Sequence, residues 1–324
     1  MSLVINHNLM AMNAARNLGT AYGALSTSTR RLSSGLRVGT AADDAAGLAI
    51  RELMRADIKS MNQGVRNAND AISMIQVADG ALQIIDEKLI RLKELAMQAS
   101  TGTYSSDQRL MIDSEYQAMC SEITRIANAT DFNGIHLLNG HLSGNASTHN
   151  GTGIESVGAL KVHFGTGNDS AEDYYYINMG NSTASALGLG MLAGSKLKWT
   201  DAEIAAQAAD PARQAAMRAE NNAGKTISTQ ELAQQALNAI NQAIISKDKI
   251  RASLGAMQNR LANTITNLTI QAENMQASES RISDVDVATE MTEFTRQQIL
   301  SQSAVAMLAQ ANNLPKMALQ LIQG

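Results

Sequence analysis

Two stretches of heptad-like apolar spacing, one towards each end of the chain, constrain this sequence more than any other feature. From Met54 apolar side chains recur at Met54, Ile58, Met61, Val65, Ala68, Ile72 and Ile75, then at Leu82, Ile85, Leu89, Leu92 and Ala96. Alternating steps of three and four put such residues on one stripe of an α-helix, the seam of a coiled coil. Only Asp79-Gly80 interrupts the rhythm. The same spacing returns through Leu254, Met257, Leu261, Ile265, Leu268, Ala272 and Met275. A one-stripe helix has to cover its apolar face with another helix. The two ends are therefore expected to pair with each other or with neighbouring copies, which makes the middle an insertion and the chain an assembling subunit.

Composition supports a helical bundle and excludes several function classes. Aromatics make up only 3% of 324 residues, and Phe164, Tyr174, Tyr175, Tyr176 and Trp199 cluster in the middle. The flanks must then pack with Leu, Ile, Met and Ala. A net charge of −4 gives no basic footprint for nucleic acid. No apolar run approaches the roughly 18 residues of a membrane span. The first residues, Met1 to Leu9, lack the basic start and apolar run of a signal peptide, which taken alone reads as cytosolic. Cys120, the single cysteine, sits between helical neighbours Tyr116 and Ile123 and reads as a small packed residue. The five histidines are scattered and form no His-Glu-x-x-His zinc motif, so neither catalytic residue, metal nor cofactor is expected.

The chain contains two prolines, Pro211 and Pro315, so long uninterrupted helices are permitted at both ends. An opening helix carries Leu18, Tyr22, Leu25, Leu32 and Leu36 on one face, with a break at Gly35 and Gly39. A second helix is expected from Asp43-Asp44, where carboxylates suit a helix N-terminus, to about Ser100. Ser105-Ser106-Asp107 can cap a third. Twelve of the 23 glycines lie between Gly134 and Gly194, marking turns and short strands. Within that region Leu160–Phe164 and Tyr174–Met179 read as a β-hairpin joined by Gly165 to Asp173. Thr200 to about Asn222 is Ala-rich and helix-prone; Leu232, Leu237, Ile240 and Ile244 then resume helical spacing. After Ser283-Asp284 a last amphipathic segment bears Val287, Met291, Phe294, Ile299, Met307 and Leu314.

Arg30-Arg31-Leu32-Ser33-Ser34-Gly35-Leu36-Arg37 with Ala41-Ala42-Asp43-Asp44-Ala45-Ala46-Gly47-Leu48-Ala49-Ile50 resembles the amino-terminal signature of bacterial flagellins. Arg66 to Ser73 and Ala129 to Gly134 extend the likeness. It resumes at Leu254 to Leu261, Ser280 to Asp286, and Leu308-Ala309-Gln310-Ala311-Asn312-Asn313-Leu314-Pro315. The resemblance implies a mainly α fold in which amino- and carboxy-terminal segments form a long coiled-coil-like bundle with a small β-hairpin. It implies an inner filament-core domain of residues 1–42 and 283–324, and a helical rod of 43–190 and 228–282 with a hairpin near 160–179. A short variable surface insertion of 191–227 would complete the chain.

As a member of that family the chain is expected to polymerise into the extracellular flagellar filament. Identical head-to-tail contacts that do not close produce such a helical polymer. Implied partners are further copies of itself, an export chaperone and the type III export apparatus, the filament cap and hook-junction proteins, and a host flagellin-sensing Toll-like receptor. Assembly is expected to involve Leu18, Leu25, Leu32, Leu36, Asp43, Asp44, Phe294, Ile299, Leu308 and Leu314. By resemblance the receptor would grip Arg91 and Leu95, four apart on one helix, and Glu115 on the next. Rival readings are a hook–filament junction protein, which shares the terminal helices, and a flagellin with a metalloprotease in its insertion, against which the missing zinc motif and small insert argue. Asn145, Asn150 and Asn181 open acceptor patterns for N-glycosylation, a weak signal in a bacterial chain.

Overall fold

The computed structural model describes residues 8–144, 158–170, 172–190 and 224–323. Among them lie five α-helices, α1 (Leu9–Ser34), α2 (Ala45–Ser100), α3 (Ser106–Ala129), α4 (Gln230–Ser283) and α5 (Val287–Gln323). Two antiparallel two-stranded sheets pair β1 (Asp131–Phe132) with β2 (Ile135–His136) and β3 (Leu160–His163) with β4 (Tyr174–Ile177). The fold is mainly α, as the resemblance implies. The expected Ala-rich helix, Trp199, Asn145, Asn150 and nearly all of the 191–227 insertion fall outside the described residues, as does the side chain of Leu314.

By internal contacts the chain divides into one unit of residues 1–59 with 271–324 and another of 60–270. These divisions pass through α2 and α4, whereas the boundary expected at 42/43 lies within the link between α1 and α2 and that at 282/283 in the last turn of α4.

In the larger unit one hydrophobic core draws on α2, α3, α4 and the short strands. The seam of α2 differs from the expected one. Buried positions Ala68, Ala71, Ile75, Ala78, Leu82, Ile85, Leu89, Leu92, Ala96 and Ala99 keep steps of three and four without a break, with Met74, Ala81 and Leu95 buried beside them. The interruption expected at Asp79-Gly80 is therefore absent. Ala71 and Ala78 carry the seam there, and alanine gives too little hydropathy contrast to be separated from a surface position. On α4 the buried stripe is Ala233, Ala236, Ile240 and Ala243 in place of Leu232, Leu237 and Ile244, for the same reason.

Local signals are more faithful at the ends of elements. Ser105 caps α3 in a capping box, its hydroxyl accepting from the Gln108 amide while the Gln108 side chain accepts from the Ser105 N–H. The β1–β2 turn is Asn133-Gly134, both with positive φ as a type I′ turn requires. The β3–β4 hairpin forms where expected, its loop held by the Asp173 carboxylate, which accepts from the amides of Gly167 and Asp169. Those amides depress the Asp173 pKa. The Phe164 carbonyl lies so close to α2 that a Cβ at Gly64 would meet it at 1.9 Å, so only glycine permits this approach. Cys120 is buried beside Gly190, as expected for a packing residue, and desolvation pushes its thiol up to about 12.

Candidate assembly and recognition surfaces

In the smaller unit α1 runs antiparallel to α5, tied at both ends. The Asn8 side chain caps α1 by accepting from the Ala11 amide at 3.0 Å, and its Nδ2 donates across to the Ala311 carbonyl at 2.7 Å. At the other end the Arg31 guanidinium lies 3.6 Å from the Glu290 carboxylate. Between these ties the buried positions are small or polar: Ala21, Ser28, Ser301 and Ala311. Small residues let two helices approach closely but bury little apolar area. The larger apolar side chains are half-buried or exposed.

That arrangement sorts the expected assembly residues. Leu18, Leu25, Leu32, Leu36, Phe294 and Leu308 are half-buried, and Ile299 is 58% exposed. Leu9, Met10, Met12, Leu300, Val305 and Met307 are exposed as well, Met307 by 61%. Leu9, Met10, Ala14, Leu300, Ala304 and Met307 line an open groove of about 890 Å³ between α1 and α5. Isolated exposed apolar residues are unremarkable, but several lining one groove make it a candidate interaction surface.

Asp43 and Asp44, expected to act together, have separate tasks. The Asp44 carboxylate accepts from the Gly47 amide at 2.9 Å and caps the start of α2. Asp43 accepts from both the hydroxyl and the amide of Thr40 and is gripped by Arg30 at 2.9 and 3.1 Å. The Thr40 hydroxyl above all, with the Arg30 charge adding to it, holds the Asp43 pKa below the usual carboxylate range. Its carboxylate is thus engaged within its own chain.

The link between α1 and α2 is stitched to the link between α4 and α5. Leu36 and Asp284 form an isolated antiparallel bridge, with the Arg37 amide donating to Ser283 and the Val285 amide donating to Gly35. The Arg37 guanidinium adds a bond to the Ile282 carbonyl at 2.7 Å, and the buried Arg51 side chain donates to the Val38 carbonyl at 2.8 Å. Sequence reasoning overlooked Asn8, Arg31, Arg37, Arg51 and Glu290. Their partners are mostly backbone carbonyls or residues of a distant segment, which no local pattern reveals.

In the larger unit Arg91 and Glu115 come together, the guanidinium donating twice to one carboxylate oxygen at 2.7 and 3.0 Å. Glu94 takes a further bond from Arg91 at 3.0 Å. Leu95 does not join them on the surface. It is 1% exposed and belongs to the core with Leu92, Ala96 and Ala99. Arg91 and Leu95 therefore do not share an outer face as expected, because the heptad seam turns position 95 inward.

Comparison with known proteins decides the family. Residues 5–143 match the bacterial flagellin N-terminal helical region and residues 237–322 the bacterial flagellin C-terminal helical region. A flagellar filament 33 kDa core protein of Treponema phagedenis is 38% identical over 322 residues, 99% of this chain and 100% of that protein. The chain belongs to the bacterial flagellin family. The flagellin of Bacillus subtilis is 39% identical, with 98% of this chain and 99% of the relative aligned. Among solved structures, that of a putative flagellar hook-associated protein from Vibrio parahaemolyticus covers 75% of this chain and all of its own, with a TM-score of 0.51. At 15% identity that likeness concerns the fold alone. As a flagellin the chain is a structural subunit that self-polymerises into the flagellar filament.

Proposed function

We propose that this flagellin assembles through the apolar faces that α1 and α5 leave uncovered, with residues 1–42 and 283–324 forming the inner filament core and 43–190 with 228–282 the rod around it. The observation that carries this reading is the set of exposed apolar residues Leu9, Met10, Leu300 and Met307 lining one groove between two helices whose fully buried positions are small or polar. Burying a fully exposed Leu or Met side chain is worth about 1.5–3 kcal/mol, so covering these half-exposed residues favours association, set against the entropy that joining copies costs. The role is mechanical and no catalytic step is assigned to the chain. Its place is the filament outside the cell, reached with an export chaperone and the type III apparatus and completed by cap and hook-junction proteins.

Arg91 and Glu115 form the polar part of a surface suited to a host flagellin-sensing Toll-like receptor. Leu95 supports that surface from beneath. A half-exposed guanidinium held in place by Glu115 and Glu94 presents its remaining N–H groups in a fixed direction to an incoming carboxylate or carbonyl.

Deletion of residues 1–40, or of 286–324, tests the assembly reading. Each truncated protein is expected to remain soluble and helical by circular dichroism yet to form no filaments in negative stain. Filaments of normal length from either would overturn it.

A further inference from the structure

One charged side chain stands in the apolar seam of α4. The seam runs Ala233, Ala236, Ile240, Ala243, then position 247, then Ile250, Leu254, Met257 and Leu261, in steps of three and four throughout. Position 247 is a lysine, 2% exposed. Its ammonium donates to the Asp86 carboxylate on α2 at 2.5 Å and lies 2.8 Å from Asp248. One turn further along α4, Arg251 donates to Asp79 on α2 at 2.7 Å.

We infer that Lys247 is a register-determining residue, which with Arg251 fixes the antiparallel alignment of α2 and α4 at one of several heptad positions their apolar seams would otherwise accept. Both seams contain alanines and keep steps of three and four, so a one-heptad slip would still set seam against seam, the situation in which a single polar seam residue helps to select the register. The alternatives differ in charge. Slipping one way sets the buried Lys247 against Lys93 and passes Asp86 to Arg251. Slipping the other way keeps Lys247 with Asp79 but places Arg251 against Ile72 and Asp86 against Ile240. Only the observed register gives both cations a carboxylate on α2; after a slip the buried Lys247 ammonium would keep only Asp248 of its own helix, which is 59% exposed, and a buried charge stripped of its cross-helix partner is disfavoured.

The experiment follows the helices with spin labels on cysteines placed at Gln76 and Ser253, exposed positions at matching levels of α2 and α4. The buried Cys120, its thiol pushed up to about 12, stays unlabelled in the folded protein. The parent should give one narrow distance. Lys247→Met, which keeps the seam apolar, should melt no lower than the parent yet show a second, longer distance, because a slip of one heptad displaces the labels by roughly 10 Å. The slip should favour the direction that pairs Arg251 with Asp86, since Lys93 no longer meets a buried cation. The exchanged pair Asp86→Lys with Lys247→Asp should restore a single distance. One narrow distance in Lys247→Met would overturn the inference, as would a Lys247→Met protein that fails to fold, for then the lysine would supply stability and not choice of register.

Discussion

Leu36 and Asp284 pair as two residues of an antiparallel bridge although they come from opposite ends of the chain. The bridge is flanked by Arg37 donating to Ser283 at 2.7 Å and Val285 donating to Gly35 at 3.0 Å, so the breaks between helices are themselves hydrogen-bonded to each other. Gly35 makes this possible. It closes α1 in the left-handed conformation at φ 72°, its amide donating to the Arg31 carbonyl. A Cβ at Gly35 would touch nothing, so Gly35→Ala changes only the conformational cost. We expect it to destabilise the folded chain by about 1 kcal/mol, with the helices intact, read as a fall of a few degrees in thermal midpoint. An unchanged midpoint would mean that the link is not part of the cooperative unit.

Stability at low pH should depend on the Asp43 carboxylate. Its folded-state pKa is depressed, chiefly by the Thr40 hydroxyl, so its contribution is fully present above the unfolded value of about 3.9 and is lost as pH falls through the lower folded value. Asp43→Asn should therefore melt below the parent at pH 7, and the gap should narrow below about pH 4. Parallel melting curves from pH 7 to 3 check this, and a constant gap would show that the stability lost in the Asp43→Asn variant is not electrostatic.

How much of this could be read from the sequence depends on side-chain character. The long helices, the Ser105 cap and the β3–β4 hairpin are legible because Leu, Ile, Ser and Tyr carry strong local preferences. The α2 seam is legible at Leu82, Ile85, Leu89 and Leu92 and lost at Ala71 and Ala78, where burial comes from a partner helix. Lys247 is invisible in a hydropathy pattern, since its charge marks it as surface and its burial depends on the carboxylates of Asp86 and Asp248. The seam spacing through Leu92, Ala96 and Ala99 already points Leu95 inward, so that signal was available.

Burial separates the roles proposed for Arg91 and Leu95 in receptor recognition. Arg91→Ala removes a half-exposed side chain whose carboxylate partners stay hydrated, so the thermal midpoint should hold while receptor affinity falls roughly tenfold or more. Leu95→Ala opens the core and should cost about 2–5 kcal/mol of stability. Titration of receptor-expressing cells with each monomer, beside its melting curve, distinguishes them. An Arg91→Ala protein that signals like the parent removes Arg91 from the receptor surface and leaves the family assignment standing.

The apolar row on α1 and α5 is the centre of the account, and negative-stain microscopy of purified protein under salting-out conditions tests it most directly. The parent should form long, uniform filaments. Leu300→Glu with Met307→Glu places charge on two exposed positions of the groove, so the monomer should keep its circular dichroism spectrum and form no filaments. Filaments of normal length and number from the double variant would contradict the account, because the faces held to drive assembly would then be dispensable.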